Sequence, residues 1–568
     1  MTNDDPQVQR LVSDLVARRI DRRQFVRLAL ALGVSLPVAG ALLAACGGNV
    51  PATTGAVPAS SGAGPTAAGA GPTATPAAPA VPAKLTLRLI SDIANLDPAF
   101  YPASVDEAVS AGIYEGLVAW KPGTFEVVNQ LAATFEPSAD GLSYEFTLKE
   151  GIQWQKGYGE VTAEDVKFSY ERIAGLTTPA IESPYKGDWS PHLKEVIVKD
   201  KLSGTIVLKE PFAALMRSTL PTPSGFILSK KAVEERGDKF ATDPVGSGPY
   251  EFVSWTPKER AILKRFAEYS GAFAEYIGSP FPEIHFLPIE NDSAADIGLE
   301  TGEIDFGAVS VANIERFEGN PEFEVKTAPT LDYNWIGMNQ EHPKLKDIRV
   351  RQAIRLAVDV PAMIDAAFEG RYMRANAIIP ENMGLGYWAD APQYDRDVAA
   401  AKALLQEAGV SGLELSFTYT EETGSKVLAQ IVQENLAEVG ITVTLNIVDS
   451  AAFYELGKKL RERELFYVGF VTQPDPSWSF VWFTCSQIDI WNWQYWCGTE
   501  FDRLHFAALK EPDQAKRGEM YIEMQRLWDA QANVVWVSFP TNFYGHRTGI
   551  EPAITPHGRF LPHAFRVA

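Results

Sequence analysis

The pattern of apolar and polar positions is most regular between residues 413 and 447. Leu413, Leu415, Phe417 and Tyr419 alternate with Glu414, Ser416 and Thr418, the two-residue period of a strand. A helical stripe follows, formed by Val427, Ile431, Asn435 and Val439 with Leu428, Val432 and Leu436 beside them, and it stops at Gly440. Alternation resumes at Ile441, Val443, Leu445 and Ile447. Strand, helix and strand in this order predict a right-handed parallel crossover. Residues 142–149 read as a strand after the turn at Asp140-Gly141. Thr162 is placed to cap a helix with Glu164 and Asp165 in its first turn and Val166, Tyr170 and Ile173 on its buried side. A further helix runs through Val350, Ile354, Ala357 and Val358, and residues 533–539 read as a buried strand. Strands and helices mix throughout without an internal repeat, so the expected fold class is α/β.

One apolar run breaks this alternation. Residues 28–45, LALALGVSLPVAGALLAA, carry no charge, but Gly33, Pro37 and Gly40 interrupt them and small residues crowd their end. Charged, apolar and small-residue zones in this order describe an export signal that is removed, not a span. The preceding Asp21-Arg22-Arg23-Gln24-Phe25-Val26-Arg27 resembles the twin-arginine motif, whose route accepts folded proteins. Leu43-Ala44-Ala45-Cys46-Gly47 resembles a bacterial lipobox, which implies a diacylglycerol on Cys46 and cleavage before it. Two acyl chains suffice for stable anchoring. Residues 1–45 are therefore expected to be a signal peptide. Residues 46–83, uncharged and mostly Ala, Gly, Pro, Ser and Thr, are expected to be a disordered tether between lipid and folded body.

The remaining stretch, 84–568, is too long for one core and predicts two or three domains. At 46% hydrophobic and 22% charged residues the chain is ordinary globular protein. A net charge of −21 argues against nucleic acid as a partner, without arguing for a cationic ligand. Of three cysteines, lipidation of Cys46 leaves Cys485 and Cys497, readable as a disulfide or as two buried thiols. Metal binding is not expected there, because neither belongs to a C-x-x-C pair and no histidine is close in sequence. The chain lacks H-E-x-x-H, a nucleophile elbow at Gly246-Ser247-Gly248, a P-loop and a dinucleotide fingerprint. No catalytic residue, cofactor or metal is therefore predicted. A hydrolase working through paired carboxylates stays as an alternative, since carboxylates are too numerous to choose a pair.

A series of segments then resembles one family. Asn95-Leu96-Asp97-Pro98 and Ile113-Tyr114-Glu115-Gly116-Leu117 open it. Asp140-Gly141-Leu142-Ser143-Tyr144-Glu145-Phe146, Gly151-Ile152-Gln153-Trp154 and Val161-Thr162-Ala163-Glu164-Asp165-Val166-Lys167-Phe168 continue it. Gly246-Ser247-Gly248-Pro249-Tyr250, Thr301-Gly302-Glu303-Ile304-Asp305, Val350-Arg351-Gln352-Ala353-Ile354 and Phe501-Asp502 complete it. In this order they resemble the extracellular solute-binding proteins of family 5, the peptide, oligopeptide and nickel receptors of ABC importers.

The resemblance implies a two-lobed, periplasmic-binding-protein-like fold of class II with a subdomain inserted in the first lobe. The first lobe would span 84–330 and 536–568 and the second 331–535. The crossings, at 331–340 and 533–539, would be the hinge. It also implies one cleft wall at Tyr101, Pro102, Ala103 and Ser104, and an opposing wall in 466–473, including Phe470 and Thr472. Peptide-binding relatives often place an aspartate three residues before an acidic-Pro pair, to hold the peptide's amino group. Here the pair is Asp475-Pro476 and Thr472 takes the aspartate's place, without its charge. The stretch 478–496 holds Trp478, Trp482, Trp491, Trp493 and Trp496. If it is extended, Trp491 and Trp493 share a side and are expected to face ligand, the others filling core. The expected protein is a monomeric, lipid-anchored receptor on the outer membrane face or in the periplasm. It would pass a peptide or other small organic solute to a membrane permease, and nickel is not expected because the histidines are scattered. A binding module for signalling or peptide chaperoning is the second alternative.

Overall fold

The computed structural model describes residues 82–567 apart from 102–103, 270–278, 423 and 458–460. The signal, Cys46 and the tether, together with Pro102 and Ala103, lie outside the described residues.

Two sheets organise the body. The first has seven strands in the order Tyr250–Thr256, Arg260–Arg265, Glu283–Pro288, Lys84–Leu89, Phe306–Ala308, Thr541–Arg547 and Phe323–Pro329. Lys84–Leu89 runs parallel to both neighbours, Lys84 opposite Glu283 and Leu87 opposite Phe306. Such a central strand is covered on both faces and needs apolar residues without alternation; Leu85, Leu87 and Leu89 are buried, and so are Thr86 and Arg88 between them. The second sheet has six strands in the order Met373–Arg374, Val534–Phe539, Tyr333–Met338, Leu465–Phe470, Leu413–Thr420 and Ile441–Val448.

The strand–helix–strand unit forms as the periodicity predicts. Leu413–Thr420 pairs in parallel with Ile441–Val448, and helix Ser425–Glu438 joins them. Gly440 stops the helix at φ +84°, in the left-handed region. Two details differ from the simple pattern. Val427 is exposed, because the buried stripe is centred on Leu428, Val432 and Leu436. Thr418 and Thr420 are buried, because this strand has a neighbour on each side. On the outer strand alternation fades, and Ile447 is 47% exposed.

A separate four-stranded antiparallel sheet comprises Ala132–Pro137, Ser143–Leu148, Ser203–Leu208 and Leu193–Val198. Helix Ala163–Ile173 covers it with Val166, Tyr170 and Ile173, and the backbone N–H and hydroxyl of Thr162 both donate to Asp165, at 2.9 and 2.8 Å. The architecture is α/β and two-lobed, with this layer as the insertion in the first lobe.

The chain passes between the main sheets twice. Residues 330–332 join Phe323–Pro329 to Tyr333–Met338, and Pro540 joins Val534–Phe539 to Thr541–Arg547. Thr330 links the crossings, donating through its N–H (3.1 Å) and hydroxyl (2.9 Å) to Pro540 O. All six residues of Val534–Phe539 are buried in the second sheet. The change of sheet therefore falls at Pro540, beyond the expected boundary at 536, and 533–539 is strand rather than crossing.

Candidate functional site

A cavity of about 250 Å³ opens beside the crossings. Its walls come from the end of strand Lys84–Leu89, the first half of helix Ser104–Ile113, the crossing at Thr330 and Asp332, and the turns 555–564; Val471 contributes from the second lobe. A pocket this size is at the small end of ligand sites, roughly 300–1,000 Å³, and suits a compact solute.

Several motif residues build the helix wall rather than face the cavity. Asp106 accepts N–H bonds from Ala94 (2.7 Å) and Asn95 (2.9 Å), docking the preceding loop on the helix. Asp97, also buried, pairs with Arg172 at 2.6 Å and so ties that loop to the inserted subdomain. At the far end of the helix, Ile113 O accepts from Gly248 N–H at 2.8 Å. On the opposite wall Gly558 adopts φ +79°, turning 555–559 so that Tyr544 and Asn542 donate to Gly558 O at 2.8 and 3.2 Å. That turn presents His557 and Arg559 to the cavity.

Five described lining residues have charged side chains: Arg88, Glu107, Lys121, Asp332 and Arg559. Arg88 is committed to Ile289 O (2.9 Å), Ala308 O (2.8 Å) and Asp292 (2.6 Å). Lys121 pairs with Glu126 at 3.4 Å. Asp332 accepts the Thr472 N–H at 3.0 Å. Burial raises the carboxyls of Glu107 and Asp332, and Arg559 pulls both part of the way back. His557 and His563 are more than nine-tenths buried, and burial lowers them to about 3 and about 4. Both imidazoles are neutral near pH 7, and the Nδ1 of each lacks a partner among the described residues.

The predicted contact residues scatter. Ser104 lines the cavity. Tyr101 does not: it is buried and stacks on Tyr185 with ring centroids 4.4 Å apart. Phe470 lies in the second lobe's core, edge-on to Trp335 at 4.7 Å. Thr472 is buried, and its hydroxyl bonds Ser479. Trp493 is 2% exposed and donates to Ile490 O at 2.9 Å; Trp491 is half-buried beside Trp482 and Phe470, outside the cavity lining. The segment is not extended. Ile490, Trp491 and Asn492 all donate backbone N–H bonds to Gln487 O, and the Asn492 amide ties Phe483 O, Thr484 O and Trp496 O together. A Cys485–Cys497 disulfide closes this turn, a cross-link stabilising by roughly 3 kcal/mol in the chain-entropy model. The aromatic sequence is thus used for packing.

Sequence reasoning missed Glu107, Asp332, His557, Arg559 and His563. Asp332 carried one readable signal: it supplies, across the crossing, the carboxylate that is missing at Thr472. Beside the cavity Arg217 bridges the lobes, donating to Pro474 O and, at 2.7 Å, to Met383 O while its guanidinium covers Phe125 at 5.5 Å. Phe125 and Trp120 pack on His557, linking the bridge to the cavity wall.

The description of the bacterial extracellular solute-binding proteins, family 5 Middle, matches residues 126–490. Glutathione-binding protein GsiB of Shigella flexneri serotype 5b (strain 8401) is 27% identical over 471 residues, covering 79% of this chain and 86% of that protein. The solved structure of DppA from Helicobacter pylori in complex with peptide STSA superposes with a TM-score of 0.70 at 25% identity, over 85% of this chain and 98% of that one. MoaA of A. tumefaciens R10 in complex with mannopinic acid gives 0.69 at 28% identity, over 86% and 100%. These relatives are binding proteins, not enzymes. With more than half of its length matched, the chain belongs to family 5 of the bacterial extracellular solute-binding proteins.

Proposed function

We propose that this protein is the lipid-anchored receptor of an ABC importer, capturing a compact amphoteric organic solute between its lobes and delivering it to a membrane permease. Short peptides are the first class to consider. The observation that carries this reading is Asp332: a carboxylate at the crossing, bonded to the Thr472 N–H, on a cavity that also contains Arg559. It can hold an ammonium group while Arg559 meets a carboxylate, and the apolar walls take the rest. The relatives are named for, or solved with, glutathione, a peptide and mannopinic acid, all small organic solutes. Closure requires a ligand that contacts the closed form better than the open one. A cavity at the crossings with Arg217 spanning the lobes beside it suits that requirement.

A thermal-shift screen of dipeptides, tripeptides and oligosaccharides tests the capture. A ligand at 100 times its Kd stabilises the folded state by about 2.7 kcal/mol, a rise of several degrees. Peptides are expected to give such rises; rises confined to oligosaccharides would reject the amphoteric reading. The anchor is tested separately. Cys46→Ser should move the protein from the membrane to the soluble fraction, and unchanged membrane association would count against lipidation at that residue.

A further inference from the structure

The charged groups of the cavity do not balance. Arg88 is consumed by two carbonyls and Asp292, and Lys121 by Glu126. That leaves two carboxylates, Glu107 and Asp332, against the single guanidinium of Arg559. The two imidazoles in the wall are neutral and add no positive charge, yet each keeps an unpartnered Nδ1 in a setting more than nine-tenths buried. Unpaired polar atoms at this depth are costly unless something supplies partners. Glu107 makes no hydrogen bond or ion pair among the described residues, unlike Asp332 with its Thr472 N–H. It sits in the first turn of helix Ser104–Ile113, on the opposite side of the cavity from the crossing.

We propose that the site selects solutes carrying one more cationic than anionic group, with Glu107 as the residue that sets this preference. Asp332 and Arg559 together accommodate an ammonium and a carboxylate, as in any short peptide. Glu107 remains, and a second ligand cation, such as the side-chain ammonium of a lysyl peptide, neutralises it. A neutral side chain leaves Glu107 desolvated and unpaired, and an acidic one adds repulsion. The inference rests on the proposed capture of a small solute in this cavity.

The test is isothermal titration of the full chain with three dipeptides of one scaffold: lysyl-alanine, glutaminyl-alanine and glutamyl-alanine. Cadaverine serves as a non-peptide cation. Lysyl-alanine is expected to bind tightest, by about tenfold or more over glutaminyl-alanine, the scale of one charge-assisted hydrogen bond. Glu107→Gln should erase that ratio while leaving glutaminyl-alanine affinity and the melting temperature unchanged, because Glu107 has no protein partner to lose. Equal binding of all three dipeptides, or tighter binding of glutamyl-alanine, overturns the inference and leaves peptide capture standing. Retention of the lysyl preference in Glu107→Gln overturns the assignment to Glu107. Cadaverine binding that depends on Glu107, with no dipeptide bound, supports the cation preference and overturns peptide capture alone. No binding by any of the four overturns both.

Discussion

Replacing Arg517 with methionine is expected to destabilise the protein by about 3–5 kcal/mol. Arg517 and Asp475 are completely buried and joined by two parallel bonds of 2.6 Å, and Arg517 Nε also donates to Ala508 O at 2.9 Å. Burial alone would raise the Asp475 carboxyl, but Arg517 more than offsets it and holds the group below the ordinary carboxylate range. Without the guanidinium, Asp475 is left as an uncompensated charge in a dry core. The variant is read by urea denaturation, as a lower midpoint at unchanged slope. Arg517→Lys keeps the charge but not the fork and should fall in between. A loss below about 1 kcal/mol in Arg517→Met would contradict this account. The pair also matters to the cleft. Asp475 caps helix Pro476–Val481, and the adjacent Pro474 O is where Arg217 lands from the first lobe.

Gly246→Ala is the second large effect. A Cβ at Gly246 would lie 1.8 Å from Ile113 O and 2.6 Å from Ile113 C, both backbone atoms that cannot swing aside. Gly246 is moreover held by Gln155 from both directions: Gln155 N–H donates to Gly246 O at 2.9 Å, and Gly246 N–H donates to Gln155 Oε1 at 3.1 Å. Relief requires moving the end of helix Ser104–Ile113, whose other end carries Ser104 and Glu107. We expect a loss of at least about 3 kcal/mol, seen in urea melts or as insoluble expression. Gly151→Ala is the control. Gly151 has φ +77° but open space around it, so it should lose only about 1–2 kcal/mol, the intrinsic cost of the left-handed region. Equal effects at the two positions would show that backbone conformation, not the contact with Ile113, matters at Gly246.

How far the sequence could be read follows from where each signal is stored. The 413–447 unit was legible because its outer strand and its helix each bury one side, so polarity records geometry. Val534–Phe539 was legible as a strand but not as a member of the second sheet. A strand buried throughout looks the same wherever it pairs. The motifs around Asp97, Thr162 and Gly246 pointed to the right neighbourhood yet serve as its scaffold: Asp97 answers Arg172, Asp165 receives Thr162, and Gly246 makes room for Ile113. Phe470 and Trp493 could not be separated from ligand-facing aromatics, because stacking on a solute and stacking on Trp335 or Phe453 ask for the same residue. Glu107, Asp332 and Arg559 were invisible as a set. They meet only after two crossings and a C-terminal return bring residues hundreds of positions apart to one cavity.

The central claim is that the two lobes close on a small solute held at the crossings. Small-angle X-ray scattering of the full chain, with and without the peptide giving the largest thermal shift, tests it most directly. The account predicts a smaller radius of gyration at saturation, and a reduced change in Arg217→Ala, which lacks the bridge to Pro474 and Met383. An unchanged radius in the wild-type protein, at a peptide concentration that saturates the thermal shift, would contradict it.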